Sequence, residues 1–335
     1  MIRKNKKQHR PLYREIVPAA IKGAWRHRWL WPIALVAGLV QTGGIVDAIL
    51  LSLRRVRLES VTLFDASWAD SLNTIWGRIV GAPDVFEAIL QAQNLVVAVM
   101  IVIATLLLSF ICQGALTYGI GGSVHGKLPG FRESLHVGAI NLGRVFALNV
   151  VTLGLTWLAR FLLLIPLAVF SEEPSSALAL VSIVMAALYI LAVLSLTAIH
   201  FFSLNAIVLQ GAHVTPALER AALLLRASWL TVIEIALILF GVGLLTFGLG
   251  LALFVAMWLP LFLLQLGAAL MNFETLFVFA NFLGTLLFFL VMLSAGAFNL
   301  SFQYRAWNLL FVRLGEGGAV AKMHRVLRGW LGLRP

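Results

Sequence analysis

The sequence predicts an all-α, polytopic membrane helix bundle with about six transmembrane helices and cytoplasmic amphipathic helices, and three observations lead to this fold class. First, 61% of the 335 residues are hydrophobic and 12% are charged, whereas a soluble domain is about half apolar and about a quarter charged. Second, the apolar residues form runs of about twenty or more, the length that crosses a bilayer as a helix. Third, the runs lack the alternation of a membrane β-strand, so helices must satisfy the backbone in lipid.

Six apolar runs are the candidate spans. They are Trp29 to Leu53, Asn94 to Gly122, Ala139 to Phe170, Ser175 to Gln210, Trp229 to Leu270 and Phe273 to Leu300. The fifth run is ambiguous, because as one straight helix it would measure roughly 60 Å, twice the hydrocarbon thickness. It is either two passes hinged at its glycines or one pass with a bent or re-entrant piece. These glycines are Gly241, Gly243, Gly248 and Gly250.

Basic residues at both ends of the chain decide the orientation. The N-terminal tail includes Arg3, Lys4, Lys6, Lys7 and Arg10, and the C-terminal tail includes Lys322, Arg325 and Arg328. Because positive residues stay on the cytoplasmic side, both termini are predicted to be cytoplasmic, which requires an even number of crossings in the cell membrane. The acidic loop Ser171 to Pro174 is predicted to be external. Arg54, Arg55 and Arg57 oppose this orientation, but acidic residues share their loop and the two tails outweigh it.

The chain is thus predicted to be one membrane domain with two basic ends. Residues 1–28 form a basic cytoplasmic tail and a juxtamembrane amphipathic helix, residues 29–304 the six-span domain, and residues 305–335 a basic amphipathic cytoplasmic tail. A third amphipathic stretch, Pro216 to Arg226, has Thr215 as its predicted N-cap. A proline opens a short segment before each odd-numbered span, which suggests a threefold helical-hairpin repeat. These prolines are Pro18, Pro129 and Pro216.

The net charge of +11 is compatible with two classes of partner, nucleic acid and anionic lipid. A nucleic-acid binder carries its basic residues on a folded, solvent-facing surface. Here they flank apolar spans, where the positive-inside rule and the anionic inner leaflet account for them. We therefore expect the cations of the two tails to face anionic membrane lipids, and we expect no nucleic-acid partner.

The order of five short motifs carries a family resemblance. The motifs are GAWRHRWLW (23–31), QGALTYG (113–119), GKLPGFRESL (126–135), NAIVL (205–209) and ALERAALLLR (217–226). Together they resemble the bacterial and archaeal six-helix proteins grouped with the membrane domain of glycerophosphoryl diester phosphodiesterase. The resemblance implies a six-span fold and topology and transfers no catalytic residue. Some relatives carry a phosphodiesterase barrel beside this domain, and the sequence contains no stretch long and mixed enough to form one, so we do not expect that activity.

Ionisable residues inside the spans are the candidate functional positions, because they are costly in lipid. Asp47 and Arg160 are predicted to lie toward the outer face, whereas His200 and Glu234 share the inner level. Each of the two pairs either holds helices together or belongs to a transport path. We expect no catalytic residue, no metal site and no cofactor, because the histidines lack H-E-x-x-H spacing and no nucleotide or nucleophile motif occurs.

These patterns predict a non-enzymatic integral membrane scaffold or accessory protein. It would engage anionic lipid through its basic juxtamembrane helices, and a membrane or cytoplasmic protein partner is left open. The alternative is a small-molecule or lipid transporter that uses a glycine-broken fifth span, as broken helices do in known transporters.

Overall fold

The described part of the chain is helical almost throughout. The computed structural model describes residues 13–39, 92–124, 129–169 and 176–315. No strand occurs among these residues, which confirms the predicted all-α class. Five of the described helices are long and apolar enough to cross a membrane. The architecture is therefore that of a multi-pass membrane protein.

We number the described helices in chain order. They are α1 (Tyr13–Arg26), α2 (Trp31–Gly38), α3 (Ala92–Val124), α4 (Phe131–Ile140), α5 (Leu142–Val169), α6 (Ser176–Gln210), α7 (Val214–Leu270) and α8 (Glu274–Gly315), with a 3₁₀ turn at Arg28–Leu30. The second to sixth predicted spans correspond to α3, α5, α6, α7 and α8. The first predicted span is described only as far as residue 39, so its completion, and with it a sixth crossing, lies outside the described residues.

The fifth apolar run forms a helix without a break at its glycines. The non-helical backbone inside α7 is at Ser228 (φ −135°, ψ 26°), directly before that run. The glycines stay helical because lipid offers no water to compete for their backbone hydrogen bonds. Two of them also face α8 closely, Gly243 beside Asn299 and Gly250 beside Ala295. Of the two alternatives for the fifth run, a hinge at its glycines is therefore not what the helix shows, and the bend of α7 lies at Ser228.

Helices α7 and α8 form a long antiparallel hairpin. α8 has 42 residues and so measures about 63 Å. The turn contains Asn272 with φ 53°, a left-handed conformation that asparagine adopts more readily than most residues. The half of the hairpin near this turn exposes large apolar side chains, which in a membrane are covered by acyl chains. They include Leu244, Phe247, Leu259, Phe279 and Phe282.

The described helices bury most of their core at one end of the bundle, which we call the packed end. It comprises the C-terminal parts of α3, α6 and α8 and the N-terminal parts of α5 and α7, with α1 and α2 beside them. Phe201 of α6 stacks on Trp307 of α8 with ring centroids 5.4 Å apart. The largest fully enclosed side chains of the packed end include Leu116, Leu148, Phe201, Phe202 and Phe302.

Helix α1 has one buried side, and this side packs on protein. It runs antiparallel along the end of α8, as two contacts show. Gly23 lies against Arg305, and Glu15 Oε2 is 3.7 Å from Arg313 Nη2. The buried side chains are mostly small, which allows two helices to approach closely. They are Ile16, Ala20, Gly23 and Ala24.

A short helix also precedes α5 and the spanning part of α7. α4 lies against α3, where Gly138 is so close to the backbone of Ile111 and Ala115 that a Cβ atom would overlap it. The first part of α7 precedes the kink at Ser228 and begins at Val214 with His213 in the cap position, so the predicted N-cap at Thr215 is wrong. Together with α1, these segments stand where the repeat hypothesis requires a short helix, and that hypothesis stays a prediction.

Candidate functional site

Buried polar side chains of the described helices concentrate at the packed end. In a membrane protein such groups need partners inside the protein, because lipid supplies none. Members from α3 are Ser109, Gln113 and Thr117; from α5, Asn149 and Thr152; from α6, His200, Ser203 and Asn205; from α7, Thr231; and from α8, Ser301, Arg305 and Asn308. We call this set the polar layer.

One part of the polar layer joins α2, α3 and α5. The Oε1 atom of Gln113 accepts a hydrogen bond of 2.8 Å from Asn149 Nδ2. The other end of the same amide donates to the Ala37 carbonyl at 3.4 Å, and Ser109 Oγ donates to that carbonyl at 3.2 Å. Gln113 thus uses both ends of its amide to hold three helices in register.

A second amide pair joins α6 and α8. Asn308 Nδ2 donates to Asn205 Oδ1 at 2.8 Å, and Asn205 Nδ2 donates to the Phe201 carbonyl one turn earlier at 2.8 Å. Both asparagines are almost fully buried. This pair sits next to the Phe201–Trp307 stack, so polar and aromatic contacts fix the same helix interface.

His200 has a partner on α5. Its Nδ1 atom is 3.1 Å from Thr152 Oγ1, and that hydroxyl also lies 2.9 Å from the Leu148 carbonyl, to which it donates. His200 Nε2 is enclosed and has no hydrogen-bond partner within the described part of the chain. Glu234, which the sequence placed at the same level, makes no hydrogen bond or ion pair with any described residue. The structure therefore pairs His200 with Thr152.

Arg305 is the buried cation of the polar layer. Its Nη2 atom donates to Ser123 Oγ at 2.8 Å and to His27 Nδ1 at 3.1 Å. The guanidinium lies directly against Gly23, where the missing side chain leaves room for it. The sequence analysis assigned Arg305 to a tail that begins at residue 305. The structure corrects this boundary, because α8 continues to Gly315. Arg305 is buried because this last part of the helix packs on α1 and α6.

His27 follows α1 and contacts this cation. Its Nδ1 atom also lies 2.9 Å from the Gly23 carbonyl. Nδ1 donates to that carbonyl when it carries a proton, and it accepts from Arg305 in the neutral form that carries its proton on Nε2. Burial lowers the pKa of His27 below its ordinary 6.5, the Gly23 contact opposes this, and the charges of Arg305 and Arg26 lower the pKa further. The site thus favours the neutral form of His27.

The other predicted site residues are only partly described. Arg160 is half-buried on α5, with its Cζ atom 5.1 Å from the centre of the Trp157 ring. Its predicted partner Asp47 lies outside the described residues. The same holds for the predicted lipid-facing cations Arg3, Lys4, Lys6, Lys7, Arg10, Lys322, Arg325 and Arg328.

The amides of the polar layer were not predicted as site residues. A search for charged residues overlooks Gln113, Asn149, Asn205 and Asn308. An amide inside an apolar run nevertheless indicates a buried contact, because an amide without a partner is costly in lipid. Among the described residues no group of three or more His, Cys, Asp or Glu side chains could hold a metal ion. The arrangement can tie helices together and can offer a guanidinium to an anion.

Comparison with protein-family models, curated proteins and solved structures finds no match to this chain. The resemblance carried by the five short motifs stays a prediction.

Proposed function

We propose that this protein is a non-enzymatic integral membrane scaffold or accessory protein that engages anionic lipid. The proposal includes six spans in the cell membrane with both termini in the cytoplasm. The observation that carries it is the use of the buried amides: Gln113 bonds to Asn149 and Asn205 to Asn308 across helix boundaries. Such bonds hold helices together in lipid, and side chains occupied in this way do not line a path for a solute.

Exposed cations next to the packed end support the lipid part of the proposal. Arg14, Lys22, Arg26 and Arg28 are exposed on α1 or directly after it, and further cations precede them in the sequence. A basic residue near an anionic leaflet contributes about 1 kcal/mol to membrane attraction. With the termini in the cytoplasm, all these residues would face the anionic inner leaflet.

Lipid engagement can be tested on the full-length protein extracted into polymer-bounded native lipid discs. The first variant replaces Arg3, Lys4, Lys6, Lys7 and Arg10 by glutamine. Mass spectrometry of the lipids in the discs should show that the enrichment of anionic lipid around this variant is lower than around the wild type by roughly fivefold or more. A fivefold change corresponds to about 1 kcal/mol, the contribution of one basic residue. The charge-preserving control replaces Lys4, Lys6 and Lys7 by arginine and should keep the enrichment. Equal enrichment in the glutamine variant contradicts lipid engagement through the tail.

The scaffold assignment makes a separate prediction in sealed liposomes. The wild-type protein should drive no proton or ion flux, and Asn308→Leu should lower the melting temperature because it leaves buried Asn205 without its partner. A flux that Glu234→Gln abolishes without lowering the melting temperature would instead assign the protein as a transporter.

A further inference from the structure

One cationic site at the packed end is built from three helices. It consists of the guanidinium of Arg305 on α8, the Gly23–His27 turn at the end of α1, and Ser123 on α3; we call it the Arg305 site. We infer that it binds a phosphate group, carried either by a phospholipid headgroup or by a soluble phosphate. The inference goes beyond the proposed function, because it does not involve the clustered cations of residues 3–10 and 322–328 and holds whether or not these bind lipid.

The charge of Arg305 is the first reason. The residue is only 7% exposed, and arginine stays protonated in proteins. Its hydrogen-bond partners, Ser123 and His27, are a hydroxyl and an imidazole, neither of them an anion. Within the described residues no acid forms an ion pair with Arg305, and Glu15 at the start of α1 pairs with Arg313 instead. A buried charge without a counter-ion is strongly unfavourable, so an anion that binds here is stabilised by the existing structure.

The unused donors of Arg305 are the second reason. Both hydrogen bonds of the guanidinium involve Nη2, and within the described residues Nε and Nη1 have no hydrogen-bond partner. Neither atom is among the enclosed unpartnered groups of the packed end, so neither is completely shut off from a ligand. A guanidinium presents its N–H groups as a planar fork that matches two oxygens of a phosphate.

The level of the site in the bundle is the third reason. Ser123 is the last but one residue of α3, and the apolar span of that helix ends at Val124. Arg305 bonds to Ser123 at this end of α3, so if α3 spans the hydrocarbon, the guanidinium lies at the depth of the lipid headgroups. A phosphate would then reach this level without crossing the hydrocarbon.

Tryptophans around the site fit the same depth. Trp25 lies edge-on to Trp31, with ring centroids 5.8 Å apart, and both lie 6.1 Å from Phe298. Trp and Tyr are enriched where the bilayer meets water. Arg28, stacked 4.3 Å over Trp25, adds positive potential beside the site, and so does Arg26. The surroundings thus favour a ligand that is negative and held at the interface, as a phosphate is.

The test uses purified, delipidated full-length protein in a neutral detergent. Short-chain phosphatidylglycerol, inorganic phosphate and the carboxylate laurate are titrated separately, at equal ionic strength, and binding is measured by native mass spectrometry and by melting temperature. We expect a phosphate compound to bind and to stabilise the protein, with binding weakened roughly tenfold or more in Arg305→Gln. The matched control is Arg160→Gln, which removes a half-buried arginine from the other end of α5 and should bind like wild type.

The two phosphate arms identify the source of the ligand. Stabilisation by inorganic phosphate as well as by the lipid assigns the site to a phosphate group in general, and stabilisation by the lipid alone assigns it to a headgroup. Arg305→Lys keeps the charge but loses the fork, and we expect intermediate binding. The inference is overturned if no phosphate compound binds, if laurate binds as tightly, or if Arg305→Gln binds like wild type. If neither variant folds, the preference of the wild-type protein for phosphate over laurate decides.

Discussion

At the residue scale, the packed end is organised by neutral amides and by one guanidinium. Asn149 and Asn308 each donate to an amide oxygen on another helix at 2.8 Å, and Arg305 donates to groups from α1 and α3. Bonds between neutral polar groups avoid the desolvation cost of a buried ion pair. This explains why uncharged residues hold the helices together, while the one described ion pair, Glu15–Arg313, is half exposed and contributes little.

His27 makes a prediction about pH at this scale. Its pKa is lowered in the folded protein, chiefly by burial, so the unfolded chain binds more protons than the folded one as the pH falls below about 6.5. Folding stability contributed by neutral His27 is complete above that pH and is lost as the pH decreases. We expect the melting temperature of the wild type to fall between pH 7.5 and pH 5, and His27→Gln to flatten part of this dependence.

The comparison between the two proteins isolates His27 from other titrating groups. Identical pH dependence in His27→Gln and wild type would show that the contact with Arg305 carries no linked proton.

At the element scale, close approach between helices depends on glycine at particular positions. Gly138 of α4 faces the backbone of α3, and a Cβ atom there would lie 2.8 Å from the Ala115 amide nitrogen. Backbone cannot move aside as a flexible side chain does. The position of α4, and with it the start of α5, is therefore set by this contact.

Gly138→Ala should lower the stability of the protein by about 1–3 kcal/mol, the usual effect of overpacking. The matched control is Gly154→Ala on α5, where a Cβ atom would meet nothing within 4 Å and where alanine favours the helix. Thermal unfolding in one detergent measures both variants. A Gly138→Ala protein as stable as the Gly154→Ala protein would contradict the close packing of α4 on α3.

At the scale of the whole molecule, the bundle separates a packed end from apolar outer parts that lipid covers. α7 is one helix after its kink at Ser228, and α8 returns alongside it, so this hairpin adds two crossings. With three further described helices of spanning length, the described residues provide five candidate crossings. The first predicted span would make the number six, and an even number would place both termini on the same side of the membrane.

Reporter fusions test this topology. Fusions at residue 1 and after residue 335 should both report cytoplasm, since both ends are basic, and a fusion after Glu173 should report the outside. An external C-terminal reporter would mean that the number of crossings is odd.

The helical class, the five described helices of spanning length and the boundary between α7 and α8 follow from the sequence alone, because apolar runs and their interruptions are local properties of the chain. Charge inside an apolar run was also visible, and so His200, Arg160 and Glu234 were singled out. Which polar groups meet depends on the packing of the helices. Thr152 is 48 positions from His200, and Arg305 is 278 from His27, so packing alone brings them together. Packing also decided that α8 extends past residue 305 and buries Arg305, since the apolar surface that covers this segment comes from α1 and α6.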